Sequence, residues 1–256
     1  MHELHDYFAA SNVFIDLVIN YSSCITRRRG KYLMEINQLI TQSVSVLVLA
    51  TAANAEPKEW TLDLGHAYIG WQIDHMNLSQ TVGQFREYDG TFTIDEADPS
   101  NSQIRFTVQA ASIDSNHIGR DNHVRNVDYL DAENFPEITF VSTKVQLLTP
   151  ISGKLHGDLT MLVVTAPLSL DFRMVRDTFY PEFIPNYDEI RVLGFEAEGE
   201  VFRLDHGMDF IAFVGSPTGL SIKLDLHFDL VDCTDVPSTN VPCHWGRVTG
   251  FTGPNE

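Results

Sequence analysis

The sequence predicts an all-β fold, an antiparallel barrel or sandwich, on three observations. Apolar residues recur at every second position from residue 60 onward, turn formers separate the alternating runs, and no strand-helix-strand alternation of the nucleotide-binding type interrupts them. The clearest run is LSIKLDLHFDL at 220–230. There Leu220, Ile222, Leu224, Leu226, Phe228 and Leu230 share one face, and Ser221, Lys223, Asp225, His227 and Asp229 the other. Such a strand faces an interior on one side and water on the other.

The remaining strands follow in order. YIGWQIDH carries Ile69, Trp71 and Ile73, with His75 in the same phase; GTFTID carries Phe92 and Ile94; QIRFTV carries Ile104, Phe106 and Val108. EITFVSTKV presents Ile138 and Phe140, PLSLDFRM presents Leu168, Leu170, Phe172 and Met174, and VLGFEAEGEV presents Leu193, Phe195 and Val201. YDG at 88–90, ADPSNS at 97–102, TPISG at 149–153 and GSPTG at 215–219 supply the turns between them. One segment breaks the period: in GRDNHVRNVDYLDAENFP at 119–136, Val124, Val127 and the Tyr129/Leu130 pair fall at helical spacing, and Pro136 ends it. This spacing predicts one or two short helical turns in a long connection, lying across an end of the barrel or against its wall.

Residues 27–55 read as a leader. A basic patch (Arg27, Arg28, Arg29, Lys31) precedes a mostly apolar run ending in VSVLVLATAA, and Ala53-Asn54-Ala55 supplies an A-x-A site. That order marks a signal peptide cleaved after Ala55 rather than a membrane anchor, because the uninterrupted apolar run is shorter than the roughly 18–20 residues a span requires. Residues 1–33 are long for such a leader and are consistent with a start placed too far upstream. The domain organisation expected is therefore a leader at 1–55, a β-barrel domain at 56–231 and a loop-like tail at 232–256. Removing the leader takes four basic and four acidic residues, leaving 13 basic against 31 acidic and a net charge of −18. A surface this acidic repels phosphate backbones and anionic headgroups, which argues against nucleic-acid binding and constitutive membrane binding. A homodimer stays open.

The stretch 111–136 gathers His117, His123, Asp114, Asp121, Asp128, Arg120 and Arg125. Metal binding needs three or four converging ligands; the two histidines are six apart, off a common helical face, and the carboxylates have arginines competing for their charge. Acid–base residue types are present, but no nucleophile, oxyanion donor or known catalytic motif accompanies them. The expectation is no catalytic residue, no metal and no cofactor. Instead Arg120, Asp121, His123 and Asp128 would form a structural brace of ion pairs and caps, with Asp121 near a helix start. In the tail, Cys233 and Cys243 enclose CTDVPSTNVPC; a disulfide is one reading, and a metal held by this pair with His244 the other.

Four ordered segments together resemble the YceI-like family of periplasmic polyisoprenoid-binding proteins. They are HAYIGWQIDHMNLSQTVGQFREYDGTF with its G-x-F (Gly83, Phe85), ASIDSNHIGRDNHVRNVDYLDAENFPEITFVST, GKLHGDLTMLVVTAPLSLDF, and FRLDHGMDF. The resemblance spans about residues 58–231. It implies an extended, lipocalin-like, eight-stranded antiparallel β-barrel with one or two short helices. It further implies a secreted, periplasmic protein that is not an enzyme and holds a polyprenyl quinone or polyprenyl phosphate. Two departures stand out: the late aspartate–arginine pair is here Arg203-Leu204-Asp205, and Val163 replaces a glycine.

Periodicity alone does not separate a filled barrel from a hollow one. With the resemblance, the inward phase becomes the expected lining of a lipid cavity. It comprises Ile69, Trp71, Ile73, His75, Phe85, Phe92, Phe106 and Val108 from the first half. From the second half come Phe140, Leu170, Phe172, Phe195, Leu224, Leu226 and Phe228. His75 would sit near the ligand's polar end. The competing readings are a metal- or haem-associated periplasmic module, drawing on the eight histidines after residue 55, and a structural or stress-related interaction domain with a packed barrel.

Overall fold

The computed structural model describes residues 56–184, 187, 190–208, 218–234 and 243. The leader read at 1–55 and His244 lie outside the described residues, as do 209–217 and most of the tail. Eleven strands are present: β1 (Lys58–Leu62), β2 (Tyr68–His75), β3 (Ser79–Phe85), β4 (Tyr88–Ile94), β5 (Gln103–Gln109), β6 (Ile113–Asp114), β7 (Glu137–Thr149), β8 (Ser152–Met161), β9 (Val164–Phe179), β10 (Arg191–Phe202) and β11 (Thr218–Val231). One α-helix among the described residues, α1 (Ile118–Val124), interrupts them.

All pairings are antiparallel, and they close into a barrel of eight staves because three staves are broken in two. β11 pairs with β10 on one side; on the other it pairs first with β2 (Thr218↔His75 to His227↔Tyr68) and then with β1 (Leu230↔Leu62, Val231↔Thr61). β1 and β2 are thus one stave, interrupted by a 3-10 turn at Leu64–His66. The Asp63 carboxylate caps that turn by accepting from Gly65 N at 2.9 Å, which satisfies a donor the broken ladder leaves unpaired. β3 with β4, and β5 with β6, make the other two broken staves.

The β2–β3 turn places Met76 and Asn77 at φ of 60° and 55°, the left-handed pair that matches the twist of a hairpin. Asp74 Oδ2 holds it by accepting from Asn77 N at 2.9 Å.

One end of the barrel is packed solid. Trp60, Leu62, Phe92, Leu193 and Leu230 form a buried cluster there, and the Arg191 guanidinium lies 5.4 Å from the Trp60 ring centre. Arg191 also donates to Glu96 and Asp177, tying the β4–β5 connection to β9. Beyond this end Ile190, Val192, Val231 and Cys243 make a smaller cluster, and Cys233 is joined to Cys243 by a disulfide with Cα atoms 5.6 Å apart.

Candidate functional site

Burial along β11 locates the site. Ile222, Leu224, Leu226 and Phe228 point inward yet are only half-buried, whereas Leu230, next in the same phase, is 1% exposed. A close-packed core buries its inward side chains almost completely. The half-burial therefore marks an open interior that ends between Phe228 and Leu230. That interior is a cavity of about 970 Å³, at the upper end of the roughly 300–1,000 Å³ typical of ligand pockets. Thr218 and Phe228 both border it, ten residues apart on one strand, which is about 33 Å of strand and roughly 25 Å along the axis at the usual barrel tilt.

Thirteen of the fifteen expected lining residues border this cavity: Ile69, Trp71, Ile73, His75, Phe85, Phe92, Phe106, Val108, Phe140, Leu170, Leu224, Leu226 and Phe228. Phe172 and Phe195 do not. Phe195 stacks on Phe228 with ring centres 6.0 Å apart and belongs to the packed end, so Phe228 is the ring that meets the cavity. Phe172 pairs with Gly153 and Ala197 and packs against the main core.

The walls stay thin where small residues let large ones lie flat. Gly83 is the cross-strand partner of Trp71, and the indole covers the space a Cβ at 83 would occupy. Gly157 gives the Phe140 ring the same room. Flat rings line the wall without filling the axis.

The cavity is polarised. Phe92, Ile104, Phe106 and Phe228 line its deep half, while His75, Ser115, Asn116, Arg120, His123, Tyr129, Arg203 and Thr218 line the opposite end. Consecutive residues from Ser79 to Arg86 all border it, inward and outward alike, so the β3 edge forms a lip facing α1. His75 sits exposed on this rim, directly opposite Thr218 in the β2–β11 ladder.

The segment 111–136 is held chiefly by hydrogen bonds to the main chain, with arginines as donors. His117, not Asp121, is the N-cap of α1, its Nδ1 accepting from Arg120 N at 3.1 Å. Asp121 is buried in the first turn and reaches back to accept from Ser115 N at 2.9 Å and from Ser115 Oγ. Arg120 makes no ion pair with Asp121 or Asp128; its Nε and Nη2 donate to Ser115 Oγ and Ser115 O, both at 2.7 Å. His123 is exposed, Asp128 half-buried, and the two are 3.9 Å apart; His123 instead packs edge-on against Tyr129 at 5.0 Å. The strongest clamp is Arg125, which donates to Ala111 O at 2.6 Å and Ile113 O at 2.7 Å. The expected ion pairs give way to these bonds because the loop's carbonyls lack ladder partners and a guanidinium fork satisfies two at once. At the lip, Asp114 is held below the usual carboxylate range by Asn116 N and by Arg86.

Arg203 was not singled out as a cavity residue from the sequence. It is 2% exposed, borders the cavity, and donates through Nη2 to Thr218 O (3.3 Å), Thr218 Oγ1 (3.0 Å) and Gly219 O. Burial pushes its pKa down. The signal was present in the sequence: Arg203 continues the inward row of Ala197, Gly199 and Val201 on β10. Among the described residues no three His, Cys, Asp or Glu side chains gather to hold a metal ion.

An antiparallel eight-stranded barrel with a long apolar cavity, open at one polar end, defines the class: a ligand-binding barrel of lipocalin-like build. The family follows from comparison with known proteins. A YceI-like domain matches residues 60–230, and the chain belongs to the YceI-like family. A UPF0312 protein of Photorhabdus laumondii is 35% identical over 159 residues, covering 60% of this chain and 78% of its own. Protein YceI of Escherichia coli O157:H7 is 33% identical over 156 residues, with the same coverage. Among solved structures, BcnA of Burkholderia cenocepacia superposes with a TM-score of 0.57 at 16% identity, over 66% of this chain and 98% of BcnA. A YceI protein of Campylobacter jejuni gives 0.55 at 22% identity, over 62% and 89%. At those identities the structures speak to the fold.

Proposed function

We propose that this chain is a non-catalytic periplasmic carrier that holds a long polyisoprenoid lipid inside the barrel. The observation that carries the reading is the half-buried inward row Ile222–Leu224–Leu226–Phe228 bordering a 970 Å³ cavity. Each methylene a lipid tail withdraws from water is worth about 0.8 kcal/mol, so a long chain has ample driving force to enter a tube of this lining. An isoprenoid fits better than a compact ligand because the cavity is long and most of its deep wall is aliphatic or aromatic, Phe92, Ile104, Phe106, Leu224, Leu226 and Phe228 among it. The signal-like pattern at 27–55 and the Cys233–Cys243 disulfide support export to an oxidising compartment.

The test is organic extraction of protein purified from its own host, followed by mass spectrometry of the extract. Stoichiometric recovery of a prenyl lipid is expected. Repeated recovery of lipid-free protein from lipid-replete cells would sink the carrier reading, as would a periplasmic fraction devoid of the protein for the localisation.

A further inference from the structure

The cavity lining is electrostatically unlike the rest of the protein. In a chain of net charge −18, the charged side chains that border the cavity among the described residues are Arg86, Arg120 and Arg203 against a single acid, Asp114. Arg86 is paired with Asp114. Arg120 and Arg203 have no carboxylate within 4.0 Å among the described residues.

Arg203 is the more demanding of the two. Its side chain is 2% exposed, all its hydrogen bonds leave from Nη2, and its buried Nε has no acceptor among the described residues. A purely structural clamp on the Thr218 and Gly219 carbonyls requires only donors, which a neutral amide could supply. A guanidinium placed there costs desolvation that its bonds to neutral oxygens offset only in part, and no counter-charge stands beside it among the described residues. The partner that the described residues do not supply is an anion, and the space beside Arg203 is the cavity. The neighbouring groups are suited to the same guest: Thr218 Oγ1, bonded to Arg203 Nη2 at 3.0 Å; His75, opposite Thr218 in the ladder; and the Tyr129 phenol on the same end.

We propose that Arg203 is the anchor for an anionic headgroup, a phosphate or a carboxylate, of the lipid whose tail occupies the apolar half of the cavity. This rests on the lipid-carrier reading and narrows its ligand class to acidic amphiphiles. Arg120, bordering the cavity from α1, adds a second positive charge at the same end. An oriented ligand follows: head beside Arg203, tail running toward Phe92 and Phe228.

The experiment uses three probes that share one tail: geranylgeranyl monophosphate, geranylgeranoic acid and geranylgeraniol. Their dissociation constants are measured on delipidated full-length secreted protein, on R203M and on R203K, with inorganic phosphate as a competitor. The unaltered protein is expected to prefer the phosphate and the acid over the alcohol by on the order of ten- to a hundredfold, the range of a charge-assisted hydrogen bond. R203M brings that ratio close to one, and R203K restores part of it. Because the ratio is taken within one protein, a loss of overall stability cancels from it, and the unaltered protein supplies a test that depends on no variant. Equal affinity for phosphate and alcohol, or a ratio unchanged in R203M, overturns the headgroup assignment and leaves the lipid reading standing. Failure of all three probes to bind removes both. Inorganic phosphate competing as well as the prenyl phosphate would show an anion site unconnected with lipid and overturn the proposal.

Discussion

Gly83 lies directly across the β2–β3 ladder from Trp71, and the Trp71 indole fills the space that a side chain at position 83 would need. The backbone carbonyl of Asp114, 2.7 Å from a Cβ built at 83, closes off the other direction. A Gly83→Ala substitution therefore forces the indole off the wall and toward the axis. Overpacking of this kind costs about 1–3 kcal/mol. Denaturant unfolding should show that loss, with a matching change in tryptophan emission and reduced lipid content in extracts. Unchanged emission and stability would show that the ring has room to spare.

Cavity and core predict opposite outcomes for one substitution type. Leu224 faces the cavity and is half-buried, so Leu224→Trp has space for its ring and should leave the barrel folded while displacing lipid. Leu230, the next inward position after Phe228 and 1% exposed, has none; Leu230→Trp should destabilise the fold by several times RT, in the range of about 1–3 kcal/mol or more for overpacked cores. Circular dichroism melts and lipid extraction of both variants decide it. Equal destabilisation by the two would mean the interior around Leu224 is packed.

The connection 111–136 makes a graded prediction. Arg125→Met removes two donors from the carbonyls of Ala111 and Ile113, which should cost about 1–3 kcal/mol and raise hydrogen exchange across 111–136. Asp128→Asn removes only a half-exposed partner 3.9 Å from His123, and should change stability by less than about 1 kcal/mol. The reverse order would restore the ion-pair brace that the sequence led us to expect.

That contrast shows what was legible in the sequence. The period-two pattern places inward residues correctly because it is a property of the backbone, and so Trp71, Phe140 and Leu226 were found on the right face. How deep a residue sits along its stave depends on register and on the bulge near Gly194/Phe195, which alternation does not encode; Phe195, expected in the cavity lining, therefore lies in the packed end instead. In the irregular segment, residue types suggested ion pairs between Arg120 and the nearby aspartates. The geometry that sent Arg120 to Ser115 instead is set by long-range pairing of β6 with β3, out of reach of local reading. Arg203 follows the same phase as Val201, but alternation does not mark a charge as cavity-facing, and the sequence singles it out only as a departure from the family's late aspartate–arginine pair.

Acid stability should depend on the packed end of the barrel. The Asp177 carboxyl is held below the ordinary carboxylate range, first by the hydrogen bond from Arg191 and further by that cation's charge. Its distances to Arg191, 2.8 Å to Nε and 2.7 Å to Nη2, are those of a bidentate pair. A group whose pKa falls on folding contributes stability that is fully present above its unfolded value, about 3.9 for an aspartate, and is lost as the pH drops below that toward the folded value. Asp177→Asn removes this contribution at neutral pH and also removes its pH dependence. Measured from pH 7 downward, the unfolding free energies of the two proteins should differ by a constant amount until about pH 4 and converge below it, where the native carboxyl is itself protonated. Because Asp177 and Arg191 are partly exposed, the neutral-pH difference should be small, about 1 kcal/mol or less after screening. Curves that stay parallel through the acid range would show that Arg191 draws its hold on this end from Glu96 and Trp60 alone.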